Sequence, residues 1–328
     1  MPRNVLGLDI GGANLKLATA DGFALHRPFA LWKQPERLAD ELRALLGEVP
    51  SCDRLAVTMT GELCDCFETK QQGVNAILDA VEAATKVEIL VWTMAGRFVD
   101  VATARQQWLK TAAANWLATA TFAGRFASSR AALFVDVGST TTDLVPLLHG
   151  QPRPLGRNDA ERLKTRELVY TGIRRTPVCA LLDNEVMAEL FATTLDAYLV
   201  LERIPEDAGD RDTADGRPAT HTCAHARLSR MLGGDPKMIS ESETRRLAQR
   251  VAKRQGELLG HAAREVAGRL PEPPRVLITA GAGEFLAGTL LERWPGLLQV
   301  SLAHKLGPEV SRSAAAYALA VLAADKVT

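Results

Sequence analysis

Long apolar runs are missing from this chain, and so is any excess of charge. Spanning a bilayer takes about 20 consecutive apolar residues, and no stretch reaches that length. The 39 Lys and Arg residues are balanced by 39 Asp and Glu, which removes the bulk electrostatic pull toward nucleic acid or an anionic membrane. A local basic run, Arg245, Arg246, Arg250, Lys253 and Arg254, is spaced as the solvated face of a helix. Cysteine is sparse and odd in number, five in 328 residues, so no disulfide framework is expected. No charged, then apolar, signal-peptide pattern opens the chain. The expectation is a cytoplasmic protein with reduced thiols whose partners are small molecules, not nucleic acid or membrane.

What is present begins with "LGLDIGGANLKLA" (6–18). An apolar strand delivers Asp9 into a two-glycine turn, and a second apolar stretch follows. Leu6, Leu8 and Ile10 share one strand face, and Val5, Gly7 and Asp9 the other. "ALFVDVGSTTTDLVPLLHG" (132–150) repeats the pattern: with Asp9 set on Asp136, Leu8 falls on Val135, Gly11 on Gly138, Gly12 on Ser139 and Lys16 on Asp143. A chain of this length accommodates two domains, and an internal repeat signals two halves of similar architecture. The halves are placed at 1–127 and 128–328.

Strands are expected at 4–10, 13–20, 23–31, 54–62 and 87–93, and helices at 35–49, 71–85 and 100–122. This order is that of an α/β domain with a mixed sheet. In the second half, 151–178 reads as irregular with short strands and 180–200 as mostly helical. A long helix is expected over 240–268, then strand, glycine turn and helix over 271–294, a short strand at 297–302 and a closing helix at 307–325. The polar stretch 203–221, rich in Asp and Gly, reads as an exposed, mobile insertion.

A hairpin tip of Gly, Ser and Thr turns several backbone N–H groups toward one point, a nest for phosphate oxygens. An Asp at the strand end can hold hydrated Mg²⁺, which phosphate oxygens also ligate. Two such hairpins facing each other would clamp a polyphosphate from both sides. Asp9 and Asp136 are the expected metal carboxylates; Gly11, Gly12, Gly138, Ser139 and Thr140 are the expected phosphate donors. Lys16 either neutralises charge at the first turn or is an exposed strand lysine. A third glycine turn, Gly281 to Gly283, lies between a strand and a helix, where an anion or a ribose edge is favoured. It is neither a Walker A loop nor a GxGxxG motif.

These three elements in this order resemble the actin, sugar-kinase and chaperone ATPase superfamily, with the hairpins as its two phosphate loops and the third turn as its adenosine motif. The resemblance covers most of the chain and implies duplicated ribonuclease-H-like α/β domains flanking a central cleft. A narrower resemblance rests on "TMTGELCDCFETKQQGV" (58–74), "YTGIRRTPVCAL" (170–181) and "RLSRMLGGDP" (227–236), together with both hairpins. The combination is similar to the hydantoinase/oxoprolinase-like branch linked to tetrahydromethanopterin-dependent C1 transfer. That branch implies a transferase of methanofuran-type cofactor biosynthesis. In it, the phenol oxygen of a γ-glutamyltyramine or tyrosine-type acceptor displaces diphosphate from an aminomethylfuran-methyl diphosphate.

On that reading Arg174 and Arg175 fork onto phosphate or the acceptor's carboxylate or make surface salt bridges, and Glu62 or Asp65 takes the phenol proton. Asp143 is either that base or a second metal carboxylate. Mg²⁺ is expected, and ATP is not expected to be required. Two alternatives stay open: an ATP-dependent small-molecule kinase or hydantoinase-type amidohydrolase, and an ATP-binding sensor or activator. Glu284 and Phe285, bulky residues in the third turn, are expected to crowd a purine and so weaken both. Cys64 and Cys66 match no zinc spacing. His221, Cys223 and His225 would share a face on a strand and diverge on a helix.

Overall fold

The computed structural model describes residues 4–49, 51–294 and 296–325. The outermost residues of the two expected halves, 1–3 and 326–328, lie outside the described residues. Two mixed sheets form the framework. The first contains β1 (Val5–Ile10), β2 (Asn14–Thr19), β3 (Ala24–Pro28), β4 (Arg54–Met59), β5 (Glu88–Thr93) and β6 (Arg97–Val99), in the order β3-β2-β1-β4-β5-β6. The second contains β7 (Ala131–Val137), β8 (Thr142–Leu148), β9 (Gln151–Pro152), β10 (Leu168–Val169), β11 (Val276–Ala280) and β12 (Leu298–Ser301). Its order is β10-β8-β7-β11-β12, with β9 on β8. In each sheet an antiparallel hairpin lies beside a parallel strand: β1 and β2 beside β4, β7 and β8 beside β11.

The alternation read from the first strand decides which face meets what. Leu6, Leu8 and Ile10 are buried with Leu42, Ile77 and Leu78 of helices Leu38–Gly47 and Lys70–Ala84. Leu133, Val135 and Val137 are buried with Leu259 and Val266 of helix Glu241–Ala267 and Leu286 of helix Glu284–Arg293. The opposite faces of both sheets join one apolar layer, containing Val5, Ala56, Phe134 and Ile278 together with helices Asn115–Ala123 and Ala314–Asp325. The last helix packs on β1, β2 and β4. Its approach is so close that a Cβ on Gly7 would stand 1.8 Å from the carbonyl oxygen of Ala316. Glycine is therefore required there. Asp9 and Asp136 alternate onto these inner faces, which directs both carboxylates toward the space between the sheets.

Several expected elements are shorter. The helical stretch 100–122 is broken into Val101–Gln106, Trp108–Thr111 and Asn115–Ala123, with Ala113 in the left-handed region at φ 48. The closing helix is divided at Ser313 into Pro308–Arg312 and Ala314–Asp325. Over 180–200 only Val178–Leu182 and Thr194–Val200 are α-helical; the second starts at a capping box between Thr193 and Asp196. The stretch 203–221, expected as an exposed, mobile insertion, is largely exposed and is tied at several points. Asp207 bridges to Ala219, and Asp215 accepts from Arg217 and from the buried Arg227. Asp212 faces solvent as read, and Asp210, Asp212 and Asp215 also meet Arg174, Arg175 and Arg227 from outside the stretch.

No helix among the described residues is long and apolar enough to cross a membrane.

Candidate functional site

Both hairpin turns are closed by the same hydrogen bond. Gly11 N–H donates to Asn14 carbonyl at 2.9 Å, and Gly138 N–H donates to Thr141 carbonyl at 2.9 Å. The next amides, those of Gly12 and Ala13 in one turn and Ser139 and Thr140 in the other, donate to no group among the described residues. Each tip thus presents consecutive free N–H groups, the arrangement that binds phosphate oxygens.

Behind each tip stands its aspartate. Asp9, 4% exposed, pairs across the hairpin with Lys16, and its Oδ1 is buried with no hydrogen-bond partner. Burial raises its pKa, and the Lys16 ammonium opposes the rise. Asp136 is pushed up to about 7, first by burial and then by the nearby Asp143 carboxylate; Lys16 pulls it down and Asp9 adds repulsion. Lys16 and Asp9 of one sheet therefore lie within electrostatic reach of Asp136 on the other.

The residues fit a hydrated Mg²⁺. A buried carboxylate oxygen without a donor is the ligand type this ion prefers, and two carboxylates leave most of its positions to water and phosphate oxygens. Among the described residues no group of three His, Cys, Asp or Glu side chains is arranged to hold a metal. An all-protein cage is therefore not what this site offers.

Asp143 opposes Asp136 in the second hairpin. It is bound to Arg162 at 2.9 Å, and the guanidinium of Arg162 lies 3.8 Å from the ring centroid of Trp116. Burial raises the Asp143 pKa against the pull of Arg162. This carboxylate is anchored to a buried cation. Sequence reading missed Arg162 and Trp116, which carry no local motif.

The loops after β4 and β11 are equivalent as well. Gly61 N–H donates to Ile10 carbonyl at 3.1 Å, and Gly283 N–H to Val137 carbonyl at 2.9 Å. Each of these glycines precedes a glutamate, Glu62 or Glu284. A Cβ on Gly61 would lie 3.2 Å from the carbonyl carbon of Gly11, so Glu62 follows a peptide packed on the first phosphate turn. Glu62 is only 1% exposed; its Oε1 lies 3.3 Å from Lys70 Nζ, while its Oε2 has no partner. Burial pushes its pKa up to about 7 despite Lys70. Lys70 in turn reaches Asp159, at 3.4 Å, from the other half of the chain. The repeated Gly-Glu pair was a readable signal for this equivalence; Lys70 and Asp159 were not.

Glu284 behaves otherwise, and the expected crowding of the third turn is corrected. Its carboxylate turns into the protein, accepting from Thr279, Ser301 and Ser311 hydroxyls and from the Ala303 N–H. Phe285 packs edge-on against Tyr198 with centroids 5.0 Å apart. Neither side chain is available to block the cleft. The glycines of the turn serve close packing: a Cβ on Gly281, at φ +87, would lie 2.4 Å from Asp136 Oδ1, and one on Gly283 would lie 2.5 Å from Val137 Cγ1.

The loop 170–176 supports the second turn from below. Ile173 N–H donates to Gly138 carbonyl, and Arg174 and Arg175 N–H both donate to Ser139 carbonyl. Gln255 holds this loop, donating to Thr171 at 2.8 Å and to Gly172 carbonyl at 2.9 Å. The arginine side chains are bound by the insertion. Arg174 pairs with Asp210 at 2.7 Å and Arg175 with Asp212 at 3.2 Å, and Arg175 also lies 5.0 Å from the ring centroid of Trp32 beside the first turn. Asp65 is exposed. Cys64 sits beside Gly12, and burial pushes its thiol up to about 11, which makes a thiolate nucleophile unavailable at neutral pH. His221, Cys223 and His225 lie on helix His221–Met231 and diverge, with His225 bonded to Thr244 at 2.8 Å.

Known proteins share the family and the fold of this chain. The hydantoinase/oxoprolinase family model matches residues 53–326. A protein of Methanocaldococcus jannaschii is 33% identical over 97% of both chains. One of Methanococcus vannielii is 31% identical over 58% of this chain and 89% of its own. Both are furan-2-yl methanamine synthases, and their names describe a γ-L-glutamylaminoethyl-phenoxymethyl ether on the furan. Among solved structures, acetone carboxylase matches 98% of this chain and 70% of its own at TM-score 0.55 and 10% identity. The PilM–PilN type IV pilus biogenesis complex matches 99% of both chains at TM-score 0.51 and 15% identity. These similarities carry the fold alone, two ribonuclease-H-like halves.

Proposed function

The chain belongs to the hydantoinase/oxoprolinase family, and from that premise we propose that it is a transferase of methanofuran-type cofactor biosynthesis. It joins an aminomethylfuran-methyl diphosphate to the phenol oxygen of a γ-glutamyltyramine or tyrosine-type acceptor. The observation that carries this reading is the pair of equivalent hairpin tips, each with free N–H groups and an inward aspartate, with Asp9 and Lys16 of one within electrostatic reach of Asp136 of the other.

The reaction needs little beyond what those tips supply. The furan-methyl C–O bond breaks and its electron pair leaves with diphosphate, while the ring oxygen spreads positive charge over the carbon left behind. The phenol oxygen then forms the new C–O bond and gives up its proton. The amides of Gly12, Ser139 and Thr140 and the ammonium of Lys16 meet the charge growing on the leaving group; such preorganised donors commonly supply the largest share of catalysis. Mg²⁺, held by Asp9 and Asp136 directly or through water, would neutralise the diphosphate further. Glu62, whose pKa is raised to about 7, is suited to accept the phenol proton near neutral pH. The superfamily's nucleotide cleft serves on this view as a diphosphate cleft.

The test is to incubate the purified chain with donor diphosphate, phenolic acceptor and Mg²⁺ in the absence of nucleotide. Aryl ether and pyrophosphate in equal amounts are expected. Product formation only with ATP hydrolysis would favour an ATP-dependent kinase or amidohydrolase instead.

A further inference from the structure

A cavity is lined in part by Lys70, the partner of Glu62. It has a volume of about 510 Å³ and its floor is apolar, formed by Leu63, Met94 and Leu109, with Lys70, Lys110 and Arg157 around it. That volume falls within the roughly 300–1,000 Å³ of small-molecule sites. Leu63 and Leu109 are 66% and 63% exposed, an unusual outlay of apolar surface for side chains facing one hollow. The cavity spans both halves of the chain, since Arg157 and Asp159 belong to the segment that follows β9.

The charges are arranged as unevenly as the apolar groups. Lys70 is satisfied by Glu62 and Asp159. The side chains of Lys110 and Arg157 have no ion-pair partner among the described residues. A hollow with an apolar floor, two unpaired cations at its rim and a buried carboxylate behind one wall suits an aromatic molecule with an anionic tail.

We propose that this cavity is the acceptor site: it takes a phenol bearing a distal carboxylate, with the ring on Leu63, Met94 and Leu109, the carboxylate at Lys110 and Arg157, and the hydroxyl directed toward Glu62. The assignment rests on the reading that the chain forms an aryl ether. It adds a division of labour to that reading. The donor's diphosphate belongs between the hairpin tips, and the acceptor enters from the side opened by the Lys70–Asp159 contact. Glu62, one peptide beyond the glycine that packs on the first turn and 3.3 Å from the cavity-lining Lys70, would link the two.

The experiment compares the wild-type chain with the double variant K110A/R157A, both changes lying on exposed side chains. Acceptor binding is followed by calorimetry with γ-glutamyltyramine alone, and turnover is measured at saturating donor. The expected result is at least a tenfold weaker acceptor affinity and a matching rise in acceptor KM, with donor KM unmoved. The preference for γ-glutamyltyramine over tyramine, which lacks the carboxylate, should collapse by a similar factor. Acceptor binding and KM unchanged in the double variant, while ether still forms, would overturn the site and leave the reaction standing. Acceptor binding that depends on Lys110 and Arg157 without any ether product would overturn the reaction and leave the site. No acceptor binding by the wild-type chain would overturn the site whatever the turnover shows.

Discussion

Lys70 Nζ stands 3.3 Å from Glu62 Oε1, yet this buried carboxylate still titrates at about 7. Burial outweighs the single cation because Oε2 is left without a donor, and desolvation of an unpaired oxygen favours the protonated form.

The consequence for stability has a definite sign. Unfolded, Glu62 titrates near its ordinary 4.5; folded, near 7. The folded state therefore holds the proton between those values. Its contribution is full below pH 4.5 and is lost as pH rises through 7. The difference corresponds to about 3 kcal/mol. Urea unfolding of wild-type and Glu62→Gln chains between pH 4 and 8 should show a decline in the wild type that is flattened in the variant. The same substitution removes the proposed proton acceptor, so kcat should fall at least about 100-fold while the donor still binds.

Gly281 faces Asp136 too closely to carry a side chain. Gly281→Ala places a Cβ at φ +87 and 2.4 Å from Asp136 Oδ1, and should cost about 1–3 kcal/mol along with most of the turnover. Gly288, in helix Glu284–Arg293, has nothing within 4 Å of its virtual Cβ. Gly288→Ala should stabilise by up to about 1 kcal/mol. Thermal melts of the two variants test the contrast.

Arg162 is buried and binds Asp143 beneath the second hairpin. Arg162→Met leaves that carboxylate unpaired, and breaking such a pair costs about 3 kcal/mol or more. Adding Asp143→Asn should recover part of the loss, because no uncompensated charge remains. Denaturant midpoints of the single and double variants would reveal the recovery; equal midpoints would mean the pair contributes no coupling.

Much of the paired-hairpin geometry was legible because it is local and repeated. The Asp-x-Gly turn recurs in register, strand alternation puts Asp9 and Asp136 on inner faces, and the glycines mark where chain meets chain. What was illegible is carried by long-range charge. Asp159 lies 89 residues from Lys70, and no spacing rule connects them. Arg174 and Arg175 read equally well as phosphate ligands or salt-bridge partners, and Asp210 and Asp212 reach them only because the insertion folds back. Glu284 looked obstructive because sequence does not reveal that Ser301 and Ser311 wait to receive its carboxylate.

In the proposed reaction the two hairpins grip one diphosphate through Asp9 and Asp136. Titration of pyrophosphate with and without Mg²⁺ into wild-type, Asp9→Asn and Asp136→Asn chains tests it most directly. The account predicts magnesium-dependent binding that weakens at least about tenfold in each variant. Pyrophosphate that fails to bind the wild type, or binds both variants with undiminished magnesium-dependent affinity, would contradict it.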